Sequence, residues 1–233
     1  MSGGDSLPAG VRALVELSAA LGAGRRRERD ETLEEAARRV REGRLEAAAV
    51  DEALLQAHLF VGYPAALTAL ARWRELGPPP AREETGGGGP EDPGRPDAAT
   101  RRNRGERLCR RIYGEGAYRK LRRRVRRLHP AMDRWMVEEG YGRVLARPGL
   151  DVRVRELCVV AMLAAADWPP QLHSHLRGAL NVGADPARVT AALEAGAART
   201  GEEPARRARD RWRQVRERAG KTGNREEGPE DLV

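Results

Sequence analysis

The chain has few aromatic residues and few of the residues that favour strands. Only 4% of its 233 residues are aromatic, and runs in which β-branched residues alternate with polar ones are missing. Alanine, leucine, arginine and glutamate dominate instead, and all four are good helix formers. The composition therefore predicts an all-α protein.

Cysteine is also scarce, since Cys109 and Cys158 are the only two and lie far apart. They cannot form a disulfide framework, and no C-x-x-C pair is present for zinc binding or redox chemistry. The first residues, "MSGGDSLPAG", lack the basic segment and apolar run of a signal peptide. No uncharged apolar run reaches the ~18 residues of a membrane span. We therefore expect a soluble, cytoplasmic protein with no membrane partner.

The formal net charge is +8, and nearly all basic residues are arginine, because Lys120 and Lys221 are the only lysines. Such a balance is found in nucleic-acid-binding proteins. One basic stretch, 119–127, forms the outer face of a helix whose apolar side carries Leu121 and Val125. Arginine is nevertheless widely spread over the chain, as in an arginine-rich proteome. Nucleic acid is therefore an alternative partner that the sequence does not favour.

Composition divides the chain into four parts. Residues 77–104 are predicted to be a flexible linker, because the segment beginning "GPPPAREETGGGGPEDPG" is rich in glycine, proline and acid. Residues 8–76 and 105–199 are two helical units. Residues 200–233 form a charged tail, in which a helix with Trp212 and Val215 as apolar contacts precedes a disordered end. The two units look like a degenerate repeat at an offset near 140 residues.

The second unit contains a helical hairpin. "VRELCVVAMLAAA" (154–166) has no charge in the ten residues after Glu156, which is typical of a buried helix. "DWPP" (167–170) breaks this helix, because two prolines remove consecutive backbone donors. A second helix is predicted from about Gln171 to Val182.

The ends of the neighbouring helices are marked by turn residues. Gly183 suits the left-handed conformation that ends a helix, and Asp185 caps the next one, with Pro186 at its first position. Upstream, a short helix through Trp135 is expected to end at Gly140.

Two histidines in "HSHLRGALNVGAD" (173–185) raise the question of a metal site. Residues His173 and His175 project about 200° apart on a helix, so they cannot both reach one ion, and we predict no metal site. Each lies at a margin of the apolar stripe, where a histidine is more often a structural residue that donates to a backbone carbonyl than a catalytic one. Glu156 opens the apolar helix, where it either serves chemistry or forms a salt bridge with Arg153 or Arg155.

The stretch "RELCVVAMLAAADWPPQLHSHLRGALNVGADPARVTAAL" (155–193) resembles the carboxymuconolactone decarboxylase family, which includes the alkyl hydroperoxidase D type proteins. The upstream segment "LHPAMDRWMVEEGYGRVLARPGLDVRVREL" (128–157) and "LLQAHLFVGYPAALTAL" (54–70) are similar to other parts of that family. The resemblance implies two alkyl hydroperoxidase D-like helical units packed as a degenerate tandem repeat. It also implies a homo-oligomer.

The redox branch of the family has a glutamate, then C-x-x-C, then a histidine four residues later. The same spacing counted from Glu156 places the cysteine positions at Trp168 and Gln171 and the histidine at His175. Peroxide reduction needs a thiolate at that site. The resemblance therefore keeps the glutamate and histidine but makes a thiol peroxidase doubtful.

The decarboxylase branch, which also lacks the cysteine pair, is the closer resemblance. It implies a lyase that uses cofactor-free acid–base chemistry on a small lactone or keto-acid carboxylate. His175 would transfer the proton and Glu156 would be its partner, while Arg177 or Arg143 would hold the substrate carboxylate. Trp168 and Gln171 are further candidate substrate-binding residues. A non-catalytic oligomeric scaffold and an arginine-rich nucleic-acid-associated protein are the alternatives.

Helix geometry and the repeat offset each give one further expectation about the Glu156–His175 pair. Along antiparallel helices, Glu156 and His175 are offset by ~8 Å, so crossing of the helices or a bridging water has to close the gap. In the first unit the offset places Glu16 at the glutamate position but Glu35 at the histidine position. That unit is therefore predicted to be structural.

Overall fold

The computed structural model describes residues 7–77 and 97–221, and every regular element in these two ranges is helical. The all-α fold class is thus confirmed. The helices are α1 (Ala9–Ala23), α2 (Arg26–Arg41), α3 (Ala47–Glu75), α4 (Ala98–Tyr113), α5 (Glu115–Leu128), α6 (Pro130–Trp135), a π-helix (Met136–Leu145), α7 (Val152–Ala165), α8 (Pro169–Asn181), α9 (Pro186–Ala197) and α10 (Glu202–Lys221).

The predicted hairpin is formed by α7 and α8, and its turn chemistry is as expected. Pro169 occupies the first turn of α8, where the missing N–H costs nothing. Gly183 has a φ of 87°, in the left-handed region. The Asp185 carboxylate then accepts a hydrogen bond of 2.7 Å from the backbone N–H of Ala187 and caps α9. The signals that separate α7 from α8 and start α9 are confirmed, while α8 begins at Pro169 instead of at about Gln171.

The prediction that a helix ends at Gly140 is wrong, because α6 continues directly into the π-helix as far as Leu145. The glycines here permit a close helix crossing. A Cβ at Gly142 would lie 2.0 Å from the carbonyl oxygen of Arg101 on α4. On the facing helix, a Cβ at Gly105 would lie 2.0 Å from the carbonyl oxygen of Val137. Small residues let these backbones touch, which places α4 firmly against the π-helix.

The C-terminal end of the predicted linker needs adjustment. Helix α4 begins at Ala98, inside the range 77–104, because the Asp97 carboxylate accepts a 2.6 Å hydrogen bond from the backbone N–H of Thr100. Residues 78–96 lie outside the described residues. The predicted tail helix is confirmed as α10, with Trp212 and Val215 buried. The disorder predicted at its end falls on residues 222–233, which also lie outside the described part.

Helix α7 is the centre of the main core, and all of its residues from Leu157 to Ala165 are buried. Two glycines bring its neighbours close: a Cβ at Gly22 of α1 would lie 2.2 Å from the carbonyl oxygen of Met162, and one at Gly196 of α9 would lie 2.3 Å from that of Ala161. The core therefore joins the N-terminal helices to the hairpin.

The tandem repeat itself stays a prediction. Glu16 and Glu35, the counterparts proposed for the catalytic pair, are both partly exposed. They contact Arg199 and Arg39, at 2.7 Å and 2.6 Å, and do not pair with each other.

Helix α3 is the one helix of the described residues that is long and apolar enough, by length and composition, to cross a membrane. Its backbone kinks at Gly62, where φ is 82°, close to Pro64. One side of it is part of the protein core, contributing Val50, Leu54, Ala57, Ala69 and Trp73. Helix α3 thus packs one side into the core, while Leu59, Tyr63 and Leu67 are exposed.

Candidate active site

The structure brings Glu156 and His175 into direct contact. Glu156 lies in α7 and His175 in α8, and the distance from His175 Nδ1 to Glu156 Oε2 is 3.0 Å. Glu156 is 1% exposed and His175 is 5% exposed. The helices therefore close the offset of about 8 Å that their lengths imply, without a bridging water. Two side chains 19 residues apart in sequence form one buried carboxylate–imidazole pair.

The alternative salt bridges of Glu156 do not form. Arg155 turns to the other side of α7, where its Nη2 lies 2.7 Å from Glu52 Oε2. Arg153 contacts Asp151 at the surface, with 2.9 Å between Nε and Oδ1. His173 is also buried, but the contact with Glu156 is made by His175. The structure thus distinguishes the two histidines, which the apolar stripe could not do.

Aromatic rings from outside the hairpin surround His175. The ring of Phe60, from α3, meets the imidazole edge-on, with 5.6 Å between the ring centroids. The ring of Tyr113, at the end of α4, lies 6.5 Å away. Helix α8 holds this end of α4, because Asn181 Nδ2 donates a 2.7 Å hydrogen bond to the carbonyl oxygen of Ile112. The pair is therefore enclosed by three separate parts of the chain.

A glycine makes room for the Glu156 carboxylate. A Cβ at Gly178 of α8 would lie 2.8 Å from Glu156 Oε2 and 2.6 Å from Ile112 Cγ2. Both distances are shorter than normal van der Waals contacts, so a larger residue would displace the carboxylate or the neighbouring helix.

Two tyrosines extend the polar part of the site. The hydroxyl groups of Tyr113 and Tyr141 are hydrogen-bonded to each other. Burial raises the pKa of both, and the negative charge of Glu156 raises the two pKa values further. Both hydroxyls therefore remain protonated and act as hydrogen-bond donors or acceptors. Sequence reasoning missed these tyrosines and Phe60, because they lie far from the hairpin in sequence and belong to no recognisable motif.

The two cysteines do not supply a reactive thiolate. Both are free and buried. Burial raises the pKa of Cys158 to about 11, and burial likewise raises the pKa of Cys109 well above its usual value. At neutral pH both therefore carry protonated thiols, which are poor nucleophiles. This is consistent with the loss of the cysteine pair at Trp168 and Gln171.

The other predicted site residues are more exposed. Trp168 precedes α8 and is 54% exposed, while Gln171 lies in its first turn. Both share the face of α8 that leads to His175, because residues three, four and seven apart align on a helix. Arg177 is partly buried but projects about 200° from His175. Arg143 lies on the π-helix, where its Nη1 is 3.3 Å from Glu139 Oε2.

The turn that presents Trp168 is held from outside the hairpin. Asp167 has a φ of 54°, a left-handed conformation that aspartate tolerates better than most residues. Its Oδ2 lies 2.7 Å from Arg207 Nη2 on α10. The last helix thus fixes the position of Trp168 relative to α8.

The helices thus bury a carboxylate–imidazole pair beside aromatic rings, and this pair is a candidate acid–base site. In residues 7–77 and 97–221, no group of three or more histidine, cysteine or acidic side chains is arranged to hold a metal ion. Residues 130–214 match the model of the carboxymuconolactone decarboxylase family. This matched stretch contains both Glu156 and His175. No curated protein matches the chain at a significant level.

Proposed function

We propose that the protein is a carboxymuconolactone decarboxylase-like lyase that carries out cofactor-free acid–base chemistry on a small lactone or keto-acid carboxylate. The observation that supports this proposal is the buried contact of 3.0 Å between His175 Nδ1 and Glu156 Oε2. A carboxylate in this position fixes the tautomer of the imidazole and stabilises its protonated form. The free, buried cysteines fit a reducing compartment such as the cytoplasm.

The contact assigns different roles to the two ring nitrogens. When Nδ1–H donates to the Glu156 carboxylate, Nε2 carries the lone pair and acts as the base. After Nε2 takes up a proton, the imidazolium acts as the acid. In a decarboxylation, CO2 leaves, the electron pair of the broken C–C bond moves into the neighbouring carbonyl as an enolate, and Nε2–H then protonates the carbon.

The substrate would approach along the face of α8 that carries Trp168 and Gln171. The exposed indole offers an apolar surface, and the Gln171 amide offers hydrogen bonds to a lactone or carboxylate oxygen. Of the two candidate carboxylate ligands we retain Arg143, since a guanidinium binds a carboxylate through two parallel hydrogen bonds, whereas Arg177 projects about 200° from His175. Arg143 would have to leave Glu139 to do so.

The test is a panel of lactones and keto acids with a carboxylate group, assayed for CO2 release and ring opening. We expect His175→Ala and Glu156→Gln to lower turnover on any active compound by about 100-fold or more. His129→Asn is the matched control, because His129 is exposed and caps α6 through a bond that asparagine can replace. Equal activity in wild type and His175→Ala would exclude the proposed role of His175.

A homo-oligomeric scaffold is the second candidate function, and a surface of α3 favours it. Leu59, Tyr63 and Leu67 are exposed and four residues apart, with no charged residue between them. In a chain where 33% of residues are charged, an uncharged stripe of this kind is suited to contact with a second copy. Activity in none of the compounds, together with self-association through this stripe, would favour the scaffold.

A further inference from the structure

The positive charge of the chain is concentrated on two neighbouring helices and is not evenly spread. Helices α4 and α5 contain thirteen of the 43 basic residues but only two of the 35 acidic ones. Their excess of positive charge is therefore larger than the net charge of +8 of the whole chain. By contrast, α2 has six basic and five acidic residues, so its arginines are largely matched along the same helix.

The basic face of α5 points into solvent. Tyr118 and Leu121 are buried on its inner side, whereas Lys120, Arg123 and Arg127 are exposed. In the part of the chain that the structure describes, these three cations have no acidic side chain within ion-pair distance. They are available for an anionic partner.

A cluster of large apolar side chains lies directly beside this face. Leu128 is 71% exposed, and Met132 and Trp135 are each 52% exposed. The buried carboxylate of Asp133 binds Arg122 and Arg126 of α5 and so fixes the orientation of α6 relative to α5. On the short helix α6, Met132 and Trp135 then project largely away from α5. The α5–α6 corner, meaning residues 120–135, thus combines unpaired cations with a protruding apolar tip.

We propose that the α5–α6 corner is a peripheral binding site for an anionic lipid bilayer. The cations would contact lipid phosphate and carboxylate groups, while Leu128, Met132 and Trp135 enter the interface between headgroups and acyl chains. Tryptophan is favoured at this depth because its ring is amphipathic. The contact is peripheral and spans nothing, so it departs from the expectation of no membrane partner, which considered only membrane-spanning runs. It does not depend on the proposed catalytic activity.

Two other partners explain fewer of these observations. A symmetric contact with a second copy would place the same basic face against itself, so like charges would oppose it. A nucleic acid would accept the cations but would not require an exposed leucine and methionine, since its backbone is recognised through phosphate contacts. An anionic bilayer satisfies the charge and the apolar tip together.

The test is co-sedimentation of the full chain with vesicles of phosphatidylcholine alone and of phosphatidylcholine with about 30% phosphatidylserine. We expect binding to the anionic vesicles only, weakened at least about tenfold when salt is raised from about 0.05 M to about 0.5 M. Because each cation contributes about fivefold near an anionic surface, Lys120→Glu, Arg123→Glu and Arg127→Glu together should weaken binding by at least about 100-fold.

The matched control reverses three exposed arginines elsewhere, Arg41→Glu, Arg188→Glu and Arg216→Glu, and should bind nearly as well as wild type. A second variant, Leu128→Ser, Met132→Ser and Trp135→Ser, keeps the charge and should also lose binding. In wild type, tryptophan emission should shift to the blue on anionic vesicles, and Trp135→Phe should abolish the shift.

The proposal is overturned if neither vesicle binds, if neutral vesicles bind equally well, or if the basic control weakens binding as much as the α5 variant. It is also overturned if a DNA or RNA duplex binds while vesicles do not, which would assign the face to nucleic acid. None of these outcomes depends on turnover, so they are separate from failure of the lactone and keto-acid assay.

Discussion

The carboxylate of Glu52 and the guanidinium of Arg155 form a buried ion pair, with 2.7 Å between Oε2 and Nη2, that joins α3 to α7 across 103 residues of sequence. The same carboxylate accepts a 2.9 Å hydrogen bond from Arg147 Nε. Arg155 also donates to the carbonyl oxygen of Arg147 at 3.0 Å. Glu52 therefore compensates a buried cation on the residue directly before Glu156. The N-terminal helices and the α7–α8 hairpin are electrostatically dependent on each other.

Glu52→Gln should destabilise the protein strongly, because it removes the negative charge and leaves Arg155 buried without a counterion. Loss of one partner of a buried pair costs about 3–5 kcal/mol. The measurement is urea unfolding followed by circular dichroism. Glu75→Gln, which removes an exposed pair with Arg72, is the control and should cost less than about 1 kcal/mol. Similar losses in both variants would show that the Glu52 pair is not structurally important.

Gly178→Ala should disturb the Glu156–His175 contact, because the added Cβ would lie 2.8 Å from Glu156 Oε2. Overpacking of this kind costs about 1–3 kcal/mol in stability. It should also abolish the downfield proton signal expected from a buried Nδ1–H donating to a carboxylate. Gly116→Ala is the control, since nothing lies within 4 Å of its added Cβ, and it should raise stability by up to about 1 kcal/mol.

If Gly178→Ala is as stable as wild type and keeps the downfield signal, the carboxylate is not confined as the structure indicates. The two glycines are both helical, so the comparison separates crowding at the site from the general effect of alanine on a helix.

The ion pairs of Asp133 predict a loss of stability in acid. Burial opposes ionisation of this carboxyl, but hydrogen bonds from Arg122 and Arg126 outweigh it, and the net effect lowers its pKa. A carboxyl with a lowered pKa stabilises the folded state above its unfolded pKa of about 3.9. That stability is lost as the pH falls through the folded pKa. The free energy of unfolding should therefore decrease below about pH 4, as measured by urea unfolding.

Asp133→Asn provides the comparison for this pH dependence. It should be less stable than wild type at neutral pH and show a shallower decrease in acid. An identical slope in the two proteins would mean that other carboxyl groups control the acid transition.

Leu67→Lys should weaken self-association through α3, because it places a charge within the uncharged stripe of Leu59, Tyr63 and Leu67. We expect the wild type to have a solution mass larger than that of one chain and the variant to shift toward monomer. Light scattering after size-exclusion chromatography measures both masses. Thr68→Lys, at the next exposed position, is the control. A wild-type monomer at all concentrations would remove the basis for the scaffold function.

Much of the helical framework could be predicted from local sequence. Alanine-rich composition, the two prolines after Trp168 and the Asp185–Pro186 start act within a few residues, so their effects are visible along the chain. Gly140 was misinterpreted because a glycine that ends a helix and one that precedes a close helix crossing look the same in sequence. Which of these applies depends on α4, which lies far upstream.

The candidate site was predictable only in part, because contacts between helices far apart in sequence are not visible along the chain. Glu156 and His175 were selected by a spacing shared with a family, and the structure places them in contact. Phe60, Tyr113 and Tyr141 could not be selected, because their approach to the pair depends on how α3, α4 and the π-helix pack. Gly178 lies beside an ordinary apolar stripe in sequence. Only the structure shows that Ile112 and Glu156 leave no room for a larger residue there.

The aromatic enclosure of His175 has a consequence for how the family segment could be used in isolation. Residues 130–214 contain both members of the carboxylate–imidazole pair, but Phe60 and Tyr113 lie outside that segment. A truncated chain beginning at Pro130 would expose the pair to water and to its high dielectric constant, which weakens the attraction between carboxylate and imidazolium. The segment that the family model matches is thus shorter than the part of the chain that encloses the pair, and α3 and α4 supply the low-dielectric surroundings of His175.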